Sequence, residues 1–155
     1  MKSVLFVKTP LGVMTLMEAD GALKELRFAQ RAEPGEQQKA TPLLRKAETE
    51  LKEYFAGRRK AFTVPMAPEG TAFQQSVWNA LLEIPYGETL SYGEVARRIG
   101  NPKAARAVGM ANHQNPLPVF CPCHRVIGAN GKLVGYGGGL PVKEYLLALE
   151  TKAAR

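Results

Sequence analysis

Three short runs of apolar residues, separated by turn signals, open the chain at residues 3–8, 11–18 and 22–28. The Asp20-Gly21 pair between the second and third runs is a strong signal for a β-hairpin turn. The runs therefore predict an antiparallel β-meander. The next stretch, from Arg31 to Lys39, is polar and contains Pro34-Gly35, which predicts a loop.

An amphipathic helical pattern follows this loop. Thr41-Pro42 supplies an N-cap and a first-turn proline. Apolar residues then recur every three or four positions up to Gly57, at Leu43, Leu44, Ala47, Leu51, Tyr54 and Phe55. The spacing predicts a helix packed on the meander, with one more short strand near residues 62–64. Because residues 65–70 resemble a linker, we expect an N-terminal α/β domain over residues 1–68 and a C-terminal domain over residues 69–155.

Two capping boxes mark helices in the second half of the chain. The capping pairs are Thr71 with Gln74 and Ser91 with Glu94. The first helix is expected to stop before Pro85 and the second at Gly100. A last helix is expected from Pro141 to about Glu150.

Asn101-Pro102, directly after the second of these helices, predicts a further N-cap and first-turn proline for a helix through about Ala111. Two short helices joined by a three-residue, glycine-containing turn are typical of a helix-turn-helix. Helical hairpins that bind no DNA share this pattern. With strands in the first half and helices in the second, the fold class is α+β.

The distribution of charge favours an anionic partner. Lys and Arg number 21 and Asp and Glu number 14, which gives a formal net charge of +7. Between Glu94 and Glu144 the sequence has no acidic residue and seven basic ones: Arg97, Arg98, Lys103, Arg106, Arg125, Lys132 and Lys143. A polyphosphate backbone is the natural counterpart of such a stretch, although a solvated basic surface has the same composition.

The helix expected after Pro102 carries small residues around one arginine, Arg106. The small residues include Ala104, Ala105 and Gly109. Small side chains let a helix backbone approach a narrow surface such as a DNA minor groove, while the arginine projects. Packing of the same small residues on a neighbouring helix is the alternative.

The sequence indicates no membrane partner. No apolar run approaches the roughly 20 residues of a membrane span. The apolar run after Lys2 is shorter than the core of about 7–15 residues that a signal peptide needs. We therefore expect a cytoplasmic protein with reduced cysteines.

Both cysteines and both histidines lie close together, at His113, Cys121, Cys123 and His124. A disulfide between the cysteines would close too small a ring. A zinc site could use all four residues, but the adjacent pair Cys123-His124 is awkward for tetrahedral coordination. A third hypothesis is a nucleophilic thiol with His124 as its base and Arg125 in a positive surround. A buried thiol beside a satisfied histidine is the structural alternative.

Such a nucleophile also needs a group that orients the imidazole, usually a carboxylate. Glu144 and Glu150 are the only acidic residues after Glu94. Both fall on the expected last helix, so the spacing leaves two candidates.

A longer motif surrounds the adjacent residues Cys123 and His124. Pro122-Cys123-His124-Arg125-Val126-Ile127 is preceded by Asn115-Pro116-Leu117-Pro118 and followed by Gly138-Gly139-Leu140-Pro141-Val142-Lys143-Glu144. This motif resembles the signature of the O6-alkylguanine-DNA alkyltransferases, from about Gly70 to Glu150. The first half of the chain fits the N-terminal domain of that family in outline. The resemblance implies a ribonuclease H-like meander plus helix, then a winged helix-turn-helix domain that carries the active-site cysteine.

The resemblance implies a role for each matching residue. The catalytic group consists of the acceptor thiol Cys123, the base His124 acting through a water, the orienting carboxylate Glu150, the bracing Asn115, and Tyr92, which helps rotate the nucleotide and contacts the base. The implied DNA contacts are Arg106, which fills the gap in the base stack, the phosphate contact Ser91, and Tyr92, Ala104, Ala105 and Gly109. The alkylguanine pocket is lined by Pro118, Tyr136, Gly137 and Gly138.

The implied function is repair of double-stranded DNA. The alkyl group of O6-alkylguanine, and less efficiently of O4-alkylthymine, passes irreversibly to Cys123 of a monomer after base flipping, in a single turnover and without a cofactor. Residues 1–112 contain neither Cys nor His, so the zinc ligands of some relatives are absent and no metal is expected. Cys121 stands where the family usually has an aliphatic residue. A non-catalytic module that recognises lesions or regulates by binding DNA is the alternative, and Cys123 argues against the alkyltransferase-like proteins, which carry another residue there.

Overall fold

A computed structural model describes residues 1–131, 136 and 138–154 of the chain. The chain divides into two compact units, Met1–Glu69 and Gly70–Arg155. Within the described residues, no helix combines the length and the apolar composition that a membrane crossing requires.

The first unit contains a four-stranded sheet in the order β3-β2-β1-β4. Its strands are β1 (Lys2–Thr9), β2 (Gly12–Ala19), β3 (Ala22–Arg27) and β4 (Glu36–Gln38). The first three strands pair antiparallel, which confirms the predicted meander. Asp20 and Gly21 both have positive φ, 53° and 76°, as the tight turn of a two-residue hairpin requires.

The fourth strand corrects the prediction of a loop over residues 31–39. β4 pairs parallel with β1, with Lys2 opposite Glu36. Two hydrogen bonds from the Arg27 guanidinium to the Glu36 carboxylate, at 2.8 and 2.5 Å, tie β4 to the end of β3. Because this strand is polar and short, its position depends on a partner distant in sequence, and no local pattern signals it.

The strand expected near residues 62–64 is absent, although the structure describes that segment. The backbone N–H groups of Thr63 and Val64 donate instead to the buried Glu50 carboxylate, at 2.9 and 3.1 Å. A side chain therefore satisfies the donors that a sheet partner would otherwise take. Met66, further along, forms an isolated bridge with Leu23.

The helix of the first unit begins and ends as predicted. α1 (Pro42–Phe55) is capped by Thr41, whose hydroxyl accepts a hydrogen bond from the Leu44 N–H at 3.1 Å. The helix packs on β1, β2 and β3. Its buried face consists of Leu44, Ala47, Glu50, Leu51, Tyr54 and Phe55.

The second unit is mainly helical. Its helices are α2 (Ala72–Leu82), α3 (Tyr92–Arg98), α4 (Ala105–His113) and α5 (Leu140–Ala154), and its strands β5 (Leu90–Ser91) and β6 (Val126–Ile127) pair parallel. Both predicted capping boxes are confirmed, at the starts of α2 and α3. α2, α3 and α4 pack against one another, and α5 contacts a 3₁₀ turn over Cys123–Arg125.

Helix α4 begins at Ala105, three residues after the predicted start at Pro102. Asn101 and the residues after it form a tight turn, in which the Ala104 N–H donates to the Asn101 carbonyl at 3.0 Å. No side chain caps the helix, because the N-cap position is Ala104. The connection between α3 and α4 is therefore longer than the predicted three residues. α5 in turn extends past Glu150, where the sequence predicted its end.

Candidate active site

Cys123 stands at the start of a 3₁₀ turn that several hydrogen bonds hold in place. Its N–H donates to the Cys121 carbonyl at 2.8 Å. Its carbonyl accepts from the Val126 N–H and from the Asn112 side-chain amide, the latter at 3.3 Å. Because both backbone groups of Cys123 are engaged, the fold fixes the main chain from which the thiol projects.

The segment before this turn is braced by Asn115. Its side-chain amide donates to the Cys121 carbonyl at 3.0 Å, and its side-chain oxygen accepts from the Leu117 N–H at 3.0 Å. In the loop between Asn115 and Cys121, Val119 adopts a positive φ of 75°, which is unusual for a β-branched residue. Asn115 therefore ties together two points of a loop that contains a sharp reversal of the backbone.

A buried ionic cluster lies directly behind the turn. The Glu150 carboxylate, 1% exposed, accepts two hydrogen bonds from the Arg125 guanidinium, at 2.8 and 3.0 Å. It also accepts from the Gly87 N–H at 3.2 Å. Arg125 further donates to the Ile84 carbonyl at 2.7 Å and lies over the ring of Tyr86. A bidentate pair of this kind fixes the carboxylate in one orientation.

The His124 imidazole, 0% exposed, points one nitrogen at this carboxylate. Nε2 and the Glu150 Oε2 are 2.6 Å apart. Burial lowers the pKa of His124, against the opposing effect of Glu150, so the neutral ring is favoured. In a neutral ring, the hydrogen bond to a carboxylate assigns the proton to Nε2. Nδ1 is then an acceptor, and it has no hydrogen-bond partner among the described residues.

The Cys123 thiol is 3% exposed, and burial raises its pKa to about 11. Hydrogen bonding to Asn115 and the positive charge of Lys143 act in the opposite direction. At neutral pH the group is therefore a thiol, and it reacts as a nucleophile only if a base removes its proton.

Cys121 has a different environment. Its sulfur donates to the Trp78 carbonyl at 3.6 Å, and burial raises its pKa well above the usual value. Both cysteines are free thiols. The contact with α2 identifies Cys121 as a side chain packed in the interior.

Tyr92 and Ser91 lie at the start of α3. The Ser91 hydroxyl accepts from the Glu94 N–H at 3.1 Å and so caps the helix. Burial, and secondarily the charge of Cys123, raises the pKa of the half-buried Tyr92. Gly109 on α4 lies against the Tyr92 ring, where an added Cβ would come within 3.8 Å. The two helices thus meet at a glycine beside the tyrosine.

The other predicted site residues fall into two groups. Arg106 is exposed in the first turn of α4, and Ala104 and Ala105 beside it are partly exposed. Pro118 and Tyr136 are buried, and Gly138 is partly buried just before α5. Gly137, a predicted lining residue, lies outside the described residues, as does Lys132 of the basic stretch.

Two family models match the chain. Residues 4–68 match the 6-O-methylguanine DNA methyltransferase, ribonuclease-like domain, and residues 72–152 match the 6-O-methylguanine DNA methyltransferase, DNA binding domain. The chain belongs to the 6-O-methylguanine DNA methyltransferase family. The resemblance predicted from the motif around Cys123 is thereby confirmed.

Relatives of this family match nearly the whole chain. The methylated-DNA--protein-cysteine methyltransferase of Methanosarcina acetivorans is 52% identical over 147 residues, which are 92% of this chain and 94% of the relative. The constitutive enzyme of that name from Bacillus subtilis is 46% identical over 151 residues, 92% of each chain. The crystal structure of Mycobacterium tuberculosis OGT in complex with DNA has a TM-score of 0.89 and 47% identity, and the match covers 98% of this chain and 93% of that one.

Two of the seven cations in the stretch without acidic residues are buried, so they do not belong to a basic surface. Arg125 is 6% exposed and Lys143 is 0% exposed. The signal for Lys143 was available, because it lies three residues before Leu146 and seven before Glu150, a spacing that places all three on one face of α5. In the part of the chain that the structure describes, no group of three His, Cys, Asp or Glu side chains could hold a metal ion.

Proposed function

We propose that the protein repairs DNA by moving the alkyl group of O6-alkylguanine, and less efficiently of O4-alkylthymine, irreversibly to Cys123. The observation that carries the proposal is the buried thiol on a turn shared with His124, whose Nε2 is held by Glu150 at 2.6 Å and whose Nδ1 has no partner among the described residues. The names of the relatives, methylated-DNA--protein-cysteine methyltransferases, support the same chemistry.

Glu150, His124 and Cys123 each have a separate role in the transfer. Glu150 keeps the proton of His124 on Nε2, so Nδ1 takes the thiol proton of Cys123 through a bridging water. The thiolate attacks the alkyl carbon in line. A sulfur–carbon bond forms, the carbon–O6 bond breaks, and its electron pair stays on guanine. The proton held by His124 returns to the guanine, so that S–H and O–alkyl become S–alkyl and an unmodified base.

The product is a thioether, which water does not hydrolyse back to a thiol under cellular conditions. The protein therefore acts once per molecule. Two free thiols are consistent with a reducing cytoplasm, where we place the protein. We also propose that the protein acts as a monomer, with residues 1–68 and 69–155 as its two domains.

DNA is expected to lie on α3 and α4. A base inside a duplex is out of reach of a buried thiol, so the nucleotide must leave the stack, at a cost of a few kcal/mol. Arg106 replaces the extruded base, Tyr92 guides the nucleotide, and Ser91 contacts a phosphate. The small residues Ala104, Ala105 and Gly109 allow the backbone of α4 to come close to the minor groove. We assign the pocket for the base to Pro118, Tyr136 and Gly138, and by the family resemblance also to Gly137.

The mass of the protein after incubation with methylated duplex DNA tests this function. Replacement of S–H by S–CH₃ adds the mass of one methylene group to the chain, and the added mass must map to the peptide that contains Cys123. Unmodified duplex serves as the control. Tight binding of methylated DNA without a mass change would replace the proposal by a lesion-recognising module that performs no transfer.

Arg106→Ala separates extrusion of the base from the reaction at sulfur. We expect the variant to lose much of its rate on duplex O6-methylguanine, up to the few kcal/mol of unstacking. A free O6-benzylguanine analogue needs no extrusion, so its rate stays near normal. Single-turnover rates on both substrates make the measurement.

Lys103→Ala is the matched control, because Lys103 is an exposed cation just before α4. At saturating DNA it should react at the wild-type rate with both substrates. Equal losses on both substrates for Arg106→Ala would assign Arg106 to the fold or the pocket. If neither rate changes, α4 is not the DNA-facing helix.

A further inference from the structure

Asn112 is a buried residue of α4 to which the proposed mechanism assigns no role. The residue is 2% exposed. Its amide nitrogen Nδ2 donates to the Cys123 carbonyl at 3.3 Å. Its amide oxygen Oδ1 is buried as well, and it has no hydrogen-bond partner among the described residues. The helix on which DNA is expected to lie therefore brings an acceptor next to the main chain of the nucleophile.

This acceptor differs from that of the neighbouring buried amide, Asn115. Both polar atoms of the Asn115 side chain are bonded within the chain, one to the Cys121 carbonyl and the other to the Leu117 N–H. Folded proteins satisfy the great majority of their buried polar atoms, and each exception calls for an explanation. The bond from Nδ2 gives Asn112 a structural role, but it does not explain why an oxygen is buried beside it. An outside donor would explain it.

The substrate of the proposed function carries such a donor. For the alkyl carbon to reach the sulfur, the edge of guanine that carries O6 must face the interior. The 2-amino group lies on the same edge, so it becomes buried with O6 and needs an acceptor. The Cys123 carbonyl already accepts two hydrogen bonds, and His124 Nδ1 is the acceptor of the thiol proton. Oδ1 of Asn112 has no such commitment among the described residues.

The thymine lesion has no donor at the corresponding position. In O4-alkylthymine that position is O2, a hydrogen-bond acceptor, which would face Oδ1 with a partial charge of the same sign. In an O6-alkylhypoxanthine it is a C–H group, because the 2-amino group is missing. An acceptor at this point of the site would therefore favour alkylguanine over both.

We propose that Oδ1 of Asn112 accepts a hydrogen bond from the 2-amino group of the extruded alkylguanine and thereby sets the preference for guanine over thymine. This inference rests on the proposed function for its substrate. Asn112 contacts the base through this bond and takes no part in the displacement at the Cys123 sulfur.

Two free bases measure this hydrogen bond. O6-benzylguanine and 6-benzyloxypurine, its analogue without the 2-amino group, carry the same benzyl group and need no extrusion from a duplex. The ratio of the rate on O6-benzylguanine to the rate on the analogue reports the interaction with the amino group. A change in the accessibility or ionisation of Cys123 multiplies both rates equally, so it leaves their ratio constant.

We expect Asn112→Leu, which has nearly the same shape and no acceptor, to lower this ratio about three- to tenfold, as the loss of one neutral hydrogen bond implies. In duplex DNA the ratio of the rate on O6-methylguanine to the rate on O4-methylthymine should fall as well. Gln114→Leu is the matched control, because it removes an exposed amide just after α4. It should leave both ratios unchanged.

An unchanged free-base ratio in folded Asn112→Leu overturns the proposal and restricts Asn112 to bracing the Cys123 turn. Should the leucine variant not fold, Asn112→Ala decides, since alanine removes the same acceptor and cannot overpack the interior. Equal wild-type rates on the two free bases would also overturn the inference.

A wild-type protein that accepts the alkyl group from neither free base nor DNA would refute the proposed function separately. The dissociation constants of the same two bases, measured by calorimetry, then give the ratio. A ratio that falls in Asn112→Leu would establish recognition of the amino group without transfer. A ratio that does not respond to Asn112 would overturn the inference as well.

Discussion

Cys123→Ser is expected to abolish alkyl transfer from methylated DNA, by roughly 10³-fold or more, whereas Cys121→Ser retains most of it. The two thiols are two residues apart, yet they differ in their neighbours. Cys123 shares its turn with His124, whose Nε2 contacts Glu150 of α5, while the Cys121 thiol donates to the Trp78 carbonyl at 3.6 Å. Transfer of a labelled methyl group from duplex DNA, followed by peptide mapping, gives the rate and the acceptor.

The pair of variants is well matched. Serine at position 121 can donate to the same Trp78 carbonyl, so we expect little change in stability. Both variants should bind unmodified duplex as the wild type does, because neither side chain is exposed. Label found chiefly on Cys121, or transfer that survives in Cys123→Ser, would contradict the assignment of the nucleophile.

Glu150→Gln is expected to reduce the free energy of unfolding of the second unit by about 3–5 kcal/mol and to slow transfer. The amide cannot accept both Arg125 hydrogen bonds and that of His124, so a buried guanidinium loses its counter-charge. The imidazole also loses the group that holds its proton on Nε2. Urea denaturation measures the first effect, and the transfer rate at low temperature, where the variant is folded, measures the second.

Glu144→Gln is the control for both measurements. Glu144 is the other acidic residue of α5 and is exposed, so stability and rate should remain those of the wild type. The affinity of folded Glu150→Gln for DNA should also be unchanged, since the carboxylate is buried. A destabilised variant that transfers at the normal rate would restrict Glu150 to a structural role.

Features of the fold that depend on neighbouring residues could be predicted from the sequence. The caps Thr41, Thr71 and Ser91 each bond a backbone N–H three residues later, so the signal is complete within one turn. The parallel strand β4 could not be predicted, because it is fixed by Arg27 through a contact across nine positions. The missing strand near residue 63 has the same cause, since Glu50 supplies its hydrogen bonds from α1.

The candidate site likewise has one part that could be predicted from the sequence and another that depends on the fold. The adjacency of Cys123 and His124 was visible in the sequence, and the family motif added Glu150. Residue spacing alone left Glu144 and Glu150 equivalent, and burial separates them: one side chain is exposed and the other is 1% exposed. Burial also removes Arg125 and Lys143 from the expected basic surface, because a count of charges does not show which side chains are buried.

The two cations taken into the interior alter how the chain interacts with a salt solution. Arg125 and Lys143 contribute to the formal net charge of +7, but a buried cation carries no atmosphere of mobile anions and displaces no counterion from a phosphate backbone. Of the seven cations in the stretch without acids, the four exposed in the structure are Arg97, Arg98, Lys103 and Arg106. All four belong to α3, α4 and the connection between them. If DNA lies on α3 and α4 as proposed, these four are the cations of the stretch, among the described residues, that can release counterions, so we expect a weaker ionic-strength dependence of DNA association than the composition of the stretch would indicate.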